Sequence, residues 1–370
     1  MIAGAVSAWH TGVMTLHKLP AHIADAFAHQ AAACRDLGSP LTATVCALVA
    51  EHGLPDSETR RRIATWPGLE TSRGDVVPLR FTGALHRLVL DGAEPALAAA
   101  YPPHALDTDA LHAAMIGAVG SHDGFIADYL GSAPQTNEVA RAAHLLPALL
   151  AVAAPMALPI RMMELGASAG LLQNFEKFRY DYGRHFWGDP ASPVTLRCEW
   201  RGDAHFPAGD LPPIVERGGC DIAPVPITAE DDRKRLQSYV WPDQPHRLQR
   251  LTAAIAMALE HPPTIDEAGA ADWLEARLAP LPEGRHTIVL HAIMWQYMPG
   301  AERARAEAAI RNAGRQATPD APLSWVRFEA DGDKPGGGVR VTHWSGAADD
   351  GISRLVARGD YHGRWVEPIV

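Results

Sequence analysis

The segment Glu164-Leu-Gly-Ala-Ser-Ala-Gly170 combines an acid, two glycines and a serine at a spacing that can bind a polar ligand. The apolar run Ile160–Leu165 predicts a buried strand, and the apolar positions after Gly170 predict a helix. A strand that enters a helix through small residues presents backbone N–H groups at the positive end of the helix. The segment therefore predicts a site for an anionic or polar ligand, and we expect that ligand to be S-adenosylmethionine.

Two glycines and two acids account for most of the expected contacts with this cofactor. Gly166 and Gly170 are expected to let the backbone approach its amino-acid part closely. Glu164, at the end of the first strand, is expected to bind the ammonium group directly or through water. Asp221 ends the predicted strand Pro213–Asp221 and is expected to accept both ribose hydroxyls.

Further contacts are assigned to residues on either side of this core. Asp272 ends a weaker predicted strand at 266–272 and is expected to accept from the adenine amine, or else to cap a helix that begins at Trp273. Trp273 or Leu274 would cover the adenine ring. The remaining expected contacts with the cofactor are made by Asn137, Arg141, Ser168 and His291.

The strongest later strand, predicted over Arg285–Met294, leads to candidate catalytic residues for methyl transfer. Ligands of an open parallel sheet sit beyond the carboxyl ends of the strands, which places His291 and Tyr297 near the reacting methyl group. Methyl transfer needs in-line placement, a dry pocket and a base where the acceptor carries a proton. His291 or His362 is expected to be that base, because histidine titrates near neutral pH.

The same segment also fits Gly-x-Ser-x-Gly, the nucleophile elbow of α/β-hydrolases. A serine hydrolase would use Ser168 as the nucleophile, with Asp272 or Asp320 as the acid and with His343 or His362 as the base. Two features disfavour this alternative: the stretch before the turn is predicted to be helical, and no His-Gly-Gly-type oxyanion loop precedes Ser168. A further alternative is a non-catalytic binding protein on a methyltransferase-like scaffold.

Composition disfavours several classes of partner. The net charge of −10 argues against nucleic acid, which needs clustered Lys and Arg. No apolar run reaches the roughly 18 residues of a membrane span. The four scattered cysteines show no metal-ligand spacing. We therefore expect a small-molecule substrate and no metal, and, because the start lacks a basic n-region, a cytoplasmic protein.

The elements that position these residues fall into two predicted domains. Residues 1–133 show helical periodicity and predict a helical domain. Over residues 134–370, strands alternate with helices, which predicts an α/β, Rossmann-like, mostly parallel sheet with an antiparallel pair of strands near the C terminus. A helix that opens near Thr136 or Asn137 leads into the glycine-rich turn, and a polar, aromatic insertion spans about 179–212.

Several motifs resemble an uncharacterised bacterial family, domain of unknown function 2332, over nearly the whole chain. They include Gln135-Thr-Asn-Glu138, Trp187-Gly-Asp-Pro190, Arg217-Gly-Gly-Cys-Asp221, Tyr239-Val-Trp-Pro-Asp-Gln-Pro245 and Asp360-Tyr-His-Gly-Arg-Trp365. More loosely, residues 134–370 are similar to class I S-adenosylmethionine-dependent methyltransferases. That similarity implies the cofactor contacts given above for Glu164, the two glycines, Asp221 and Asp272, with a longer gap than usual between Gly166 and Asp221.

Overall fold

The computed structural model describes residues 15–68, 70–71 and 74–369, and the chain divides into two compact units. The first unit comprises the residues up to Pro134 together with Trp241–Gln244. The second comprises Gln135–Val240 and the chain from Pro245 onward. The division after Pro134 lies next to the domain boundary expected from the sequence, whereas the sequence did not predict that Trp241–Gln244 returns to the first unit.

Helices and one short strand pair form the first unit. Strand β1 (Leu16–His17) pairs antiparallel with β2 (Leu54–Pro55). The helices are α1 (Ala21–Asp36), α2 (Pro40–His52), α3 (Glu58–Ala64), α4 (Val77–Leu90), α5 (Pro95–Ala99), α6 (Thr108–Ser121) and α7 (Asp123–Tyr129). Asp243, from the returning segment, accepts hydrogen bonds from Ser39 Oγ (2.6 Å) and Leu41 N (2.8 Å), and so it anchors the start of α2.

The second unit contains α8 (Ala142–Ala153), α9 (Glu230–Ser238), α10 (Pro245–Glu260), α11 (Ala270–Arg277) and α12 (Gly300–Gly314). Short 3-10 helices occupy Val139–Arg141, Leu171–Lys177 and Trp295–Tyr297. Within the described ranges of both units, no helix has the length and apolar character needed to cross a bilayer.

Two sheets form the rest of the second unit. The strands are β3 (Ile160–Leu165), β4 (Arg179–Asp181), β5 (Phe186–Trp187), β6 (Thr195–Arg197), β7 (Glu199–Trp200), β8 (Ile214–Asp221), β9 (Ile265–Glu267), β10 (His286–Ala292), β11 (Leu323–Glu329), β12 (Gly337–Trp344), β13 (Ser353–Gly359) and β14 (Trp365–Pro368). The large sheet has nine strands in the order β7-β14-β13-β12-β11-β10-β3-β8-β9, and β4, β5 and β6 form a small sheet of their own.

Strand β3 lies at the centre of five parallel strands, between β10 and β8. Its two faces are covered by different helices: Met162 packs into a core that includes residues of α8 and α10, and Met163 packs into one that includes residues of α11 and α12. Parallel strands covered on both faces are mainly apolar in their interiors, as in Met162 and Met163 of β3 and the run 288–290 of β10. The carboxyl ends of these strands therefore meet at one edge, where the glycine-rich turn begins.

The antiparallel end of the sheet includes the pair expected near the C terminus, since β12 pairs antiparallel with β13 and also with β11. Within the insertion, the strand-forming stretch 195–200 is divided at Cys198. Its first half, β6, joins the small sheet, and its second half, β7, pairs with β14. The insertion is thus attached to the edge of the large sheet opposite β9.

The close approach of α12 to β12 gives a test of the packing. A Cβ atom on Gly314, at the end of α12, would lie 2.4 Å from Cδ2 of the buried Trp344. Gly314→Ala is therefore expected to destabilise the fold by about 1–3 kcal/mol, although alanine favours helix. Gly300→Ala, in the same helix, is the control, because its nearest contact is Arg303 Nη2 at 3.9 Å. Urea denaturation measures both variants, and equal stability of the two would contradict the packing.

Candidate functional site

The glycine-rich turn is joined to the end of strand β8. Ala167 N donates to Cys220 O (3.0 Å), and Ser168 N donates to Asp221 Oδ2 (2.8 Å). Gly166, Ser168 and Gly170 have φ values of +64°, +54° and +68°. This region is uncommon for a residue with a side chain, so the conformation of Ser168 is imposed by its neighbours.

The two glycines are required by the protein itself. A Cβ atom on Gly166 would lie 2.8 Å from Met294 Cβ, and one on Gly170 would lie 2.5 Å from Pro263 Cβ. Both residues also have positive φ, which glycine adopts without steric cost. Their small size therefore permits a tightly packed turn, and the space beside their Cα atoms is already occupied by side chains.

The geometry of the turn does not support the expected anion site at a helix N-terminus. The turn leads into the 3-10 helix Leu171–Lys177, which is only 7 residues long and is interrupted by non-helical angles at Asn174. The N–H groups of Ala167 and Ser168 bond to β8, and Gly170 N bonds to Ala167 O (2.7 Å). Positive charge at this edge of the sheet must come from side chains instead.

The residues before α8 form a strap, Gln135–Arg141, that holds the turn. Gln135 Oε1 accepts from Ser168 Oγ (2.8 Å), and its Nε2 donates to Ala223 O (3.0 Å). Asn137 Nδ2 donates to Ala167 O (2.8 Å), which leaves Asn137 Oδ1 buried without a hydrogen-bond partner in the described ranges. Neither Thr136 nor Asn137, the two expected caps, opens a helix. The 3-10 helix Val139–Arg141 is capped by Glu138, whose carboxylate accepts from Ala140 N.

These contacts disfavour the hydrolase alternative. The hydroxyl of Ser168 donates to an amide oxygen of Gln135, which is not a base. His343 Nδ1 contacts Ser324 Oγ, at the amino-terminal part of β11 and so at the opposite end of the parallel strands. Among the residues that the structure describes, no histidine hydrogen-bonds Ser168, so the site lacks the nucleophile–base pair that such an enzyme needs.

Arg141 places a positive charge at the end of β10. Its Nη1 donates to Ala292 O (3.3 Å), and its Nε donates to Tyr361 O (3.3 Å). Within the described part of the chain, no carboxylate forms an ion pair with this guanidinium. Burial lowers the pKa of Arg141, while the nearby Glu138, Tyr297 and Glu329 oppose that effect. A partly buried arginine that bonds only to carbonyl groups retains donors for an anion.

Glu164, on the neighbouring strand β3, provides an acid that complements the charge of Arg141. It is 2% exposed, and its Oε2 has no hydrogen-bond partner in the described ranges. Burial raises the pKa of Glu164 to about 8; the charge of Asp221 adds to this effect and the amide of Gln173 opposes it. The carboxyl group is therefore mostly protonated at neutral pH, and a bound cation would favour its ionised form.

The raised pKa of Glu164 predicts a pH-dependent stability. The unfolded chain loses this proton near pH 4.5 and the folded chain loses it near pH 8, so stability falls as pH rises between these values and levels off above them. From pH 5 to pH 8 the wild type is expected to lose about 3 kcal/mol relative to Glu164→Gln, which cannot titrate. Urea denaturation across this range measures the difference, and parallel curves would contradict the assignment.

Asp221 combines support for the turn with spare acceptor capacity. Its Oδ2 accepts from Ser168 N, and its Oδ1 accepts from Ala223 N (2.9 Å). A carboxylate has about four lone-pair sites, so two remain for hydroxyl donors. Ile222, the next residue, is 75% exposed. The sequence interpretation missed this isoleucine; an apolar residue directly after a strand-terminal acid was the available signal.

Asp272 does not end a strand, and it does not cap a helix that begins at Trp273, because α11 begins at Ala270 with Gly269 as its N-cap. The third parallel strand is β9, and both residues lie in α11. The Asp272 side chain is 73% exposed and pairs with Arg305 (2.7 Å). Trp273 is buried on the α11 face of the sheet, and its indole N–H donates to Asp266 Oδ2 (2.6 Å). Both side chains have structural partners, so neither supports the assigned contact with adenine.

His291 is part of a buried hydrogen-bond chain. Its Nδ1 lies 2.6 Å from Glu329 Oε1, and its Nε2 accepts from the indole N–H of Trp325 (3.0 Å). This pattern assigns the ring proton to Nδ1, which donates to Glu329. The same carboxylate accepts from Met294 N and Trp295 N (3.1 and 3.3 Å). With both ring nitrogens bonded, His291 positions the loop after β10 and is corrected from a base or cofactor contact to a structural residue.

The loop after β10 retains one of the candidate catalytic residues. Tyr297 is 50% exposed in the 3-10 helix Trp295–Tyr297. Ile293 has a φ of +54°, which is rare for a β-branched residue and indicates local strain of the kind that is concentrated at functional sites. His362, the other candidate, has its pKa lowered to about 3 by burial and by Arg247, so its ring is neutral at physiological pH.

Comparisons with known proteins identify a family and no activity. A search of curated proteins gave no match. In the described ranges, no group of three or more His, Cys, Asp and Glu residues is placed to hold a metal ion. A family model described as uncharacterized protein conserved in bacteria (DUF2332) matches residues 24–367, which is most of the sequence. The chain therefore belongs to the DUF2332 family.

Proposed function

We propose that the chain is a methyltransferase that uses S-adenosylmethionine and acts on a small molecule. The observation that carries the proposal is a set of unsatisfied polar groups at the carboxyl ends of β3 and β10. Arg141 has no acidic partner, and Glu164 Oε2 and Asn137 Oδ1 have no hydrogen-bond partners, within the described ranges. An amino-acid group, with one carboxylate and one ammonium, complements this set.

The order of the parallel strands supports this location. Numbered along the chain, β3, β8, β9, β10 and β11 are the first to fifth parallel strands, and the sheet has them in the order 3-2-1-4-5. In such sheets, ligands bind where the strand order reverses, beyond the carboxyl ends of the first and fourth strands. Glu164 is the last residue but one of the first strand, and Arg141 contacts the last residue of the fourth.

Each part of the cofactor has a matching residue in the proposal. Arg141 would bind the carboxylate, and Glu164 would bind the ammonium with the help of Asn137. Asp221 would accept from the ribose hydroxyls with its two spare lone pairs, and the exposed Ile222 would cover the adenine ring in place of Trp273. S-adenosylmethionine supplies a methyl group that is activated by a positively charged sulfur.

Tyr297 and His362 are the residues proposed to face the acceptor. Tyr297 is exposed and lies close enough to Arg141 to affect its pKa. His362, with a pKa of about 3, would serve as a hydrogen-bond partner at neutral pH and would be a weak base. Because both nitrogens of His291 are bonded, we assign it no direct part in the reaction.

Proton release on cofactor binding tests the proposal. At a pH of about 6.5 the Glu164 carboxyl is protonated, and contact with an ammonium group would ionise it. Calorimetric titration with S-adenosylmethionine in two buffers of different ionisation enthalpy is expected to show net release of up to about one proton. Glu164→Gln is expected to abolish the release. 5′-Methylthioadenosine, which lacks the ammonium group, is the control ligand; equal release with both ligands would contradict the role of Glu164.

A further inference from the structure

A second candidate ligand site lies elsewhere in the second unit. A cavity of about 390 Å³ is lined by residues of α8 and of the antiparallel strands β12, β13 and β14. Its walls are mainly apolar and include Pro147, Ala148, Val152, Val341, Val356 and Val366. Sites for small molecules have this size and this kind of lining, with a small number of polar groups that fix orientation.

His144, on α8, is the buried polar group of the wall. It is 0% exposed, and its Nε2 lies 2.7 Å from Asp360 O. A carbonyl oxygen only accepts, so Nε2 carries the proton and Nδ1 keeps its lone pair. That Nδ1 atom is buried and has no hydrogen-bond partner in the described ranges. Burial lowers the pKa of His144 to about 4, so the ring stays neutral at physiological pH.

We propose that this cavity binds a small molecule with an apolar body and one N–H or O–H donor, and that the donor bonds to His144 Nδ1. The apolar walls exclude strongly charged ligands, because desolvation of a charge would not be compensated there. Arg354, the one permanently charged side chain of the lining, is already paired with Asp349 (2.6 Å). An unsatisfied buried acceptor costs free energy that a donor on the ligand would recover. The site is independent of the proposed use of S-adenosylmethionine.

The probe for this site is N-phenyl-1-naphthylamine, which has an apolar body and a single N–H donor and fluoresces in apolar surroundings. Titration of the full chain is expected to show saturable binding of one probe per chain. 1-Phenoxynaphthalene has nearly the same shape but an ether oxygen instead of the N–H. It is expected to displace the probe with about tenfold weaker affinity, as the loss of a hydrogen bond to a buried acceptor requires. Equal affinity of the two molecules would overturn the role of His144.

Two substitutions locate the bound probe. Ala148→Phe fills the cavity from the buried side of α8, and Ala151→Trp obstructs it from an exposed lining position. Each variant is expected to weaken probe binding at least tenfold while the chain keeps its circular dichroism spectrum. Ala304→Trp, at an exposed position of α12 outside the cavity, is the control and should bind as the wild type does. Unchanged binding in a folded Ala148→Phe or Ala151→Trp variant, or no binding by the wild type, would overturn the proposal.

Discussion

Replacing Arg141 with glutamine is expected to weaken the binding of S-adenosylmethionine by about a hundredfold, the loss produced by removing charge-assisted bonds to a carboxylate. The guanidinium contacts only the carbonyl groups of Ala292 and Tyr361 in the described ranges, so its remaining donors are available to a ligand. 5′-Methylthioadenosine has no carboxylate, and its affinity is expected to change little. Calorimetric titration of both ligands measures the effect.

Two controls separate a direct contact from a general loss of structure. Arg305→Gln removes an exposed arginine that pairs with Asp272 and Glu275, and it should leave both affinities unchanged. Arg141→Lys should recover part of the binding, because it keeps the charge and loses the planar fork. An equal loss of affinity for both ligands in Arg141→Gln would show that Arg141 supports the fold of the site, and unchanged affinity would exclude it from the site.

The second large effect is expected at Glu138, in the strap that precedes α8. Its side chain is 5% exposed and pairs with Arg247 (2.6 Å) and Arg250 (2.9 Å) of α10. Glu138→Gln leaves the buried Arg247 and the half-buried Arg250 without this carboxylate, and breaking a buried ion pair in this way typically costs about 3–5 kcal/mol. Urea denaturation at neutral pH measures the loss.

A surface ion pair provides the matched control for Glu138. Glu275→Gln breaks the pair with Arg305, in which both side chains are about half exposed, and it should cost less than about 1 kcal/mol. The two arginines hold the pKa of Glu138 well below the ordinary value of 4.5. The stabilisation is therefore present above pH 4.5 and is lost as pH falls further. The unfolding free energies of the wild type and of Glu138→Gln should thus converge in acid. A similar cost for the two substitutions would contradict the buried pair.

Local sequence patterns correctly predicted the strands that lead into the candidate site. The bounds of β3 are those expected, since its mainly apolar sequence is followed directly by the glycine-rich turn. Asp221 likewise ends its strand as predicted. In these cases the information lies within about ten residues, where hydrophobic periodicity and turn-forming residues are informative.

The errors in the site come from contacts between distant parts of the chain. Nothing near His291 shows that Trp325 and Glu329, from the next strand, will bond both of its nitrogens. Strand β9 is only three residues long, so the sequence offered little periodicity to distinguish it from α11, and Asp272 was placed on the wrong element. The free N–H groups expected in the turn are used by β8, whose pairing with β3 is a tertiary contact.

The strand order of the sheet alone does not identify the ligand, and the side chains at the site must do so. A 3-2-1-4-5 sheet order is compatible with many ligands, because a fold does not determine an activity. The proposal takes Arg141, which has no acidic partner in the described ranges, and the unpaired oxygens of Glu164 and Asn137 as the groups that would bind a ligand with an acidic and a basic end. The proposed contacts of Asp221 and Ile222 with adenosine would then distinguish S-adenosylmethionine from a free amino acid.

The most direct test is calorimetric titration of the full wild-type chain with S-adenosylmethionine, followed by competition with its demethylated product, S-adenosylhomocysteine. The proposal predicts that one molecule binds per chain and that the two ligands compete for one site. Absence of binding by either ligand, in a chain that is folded by circular dichroism, would contradict it.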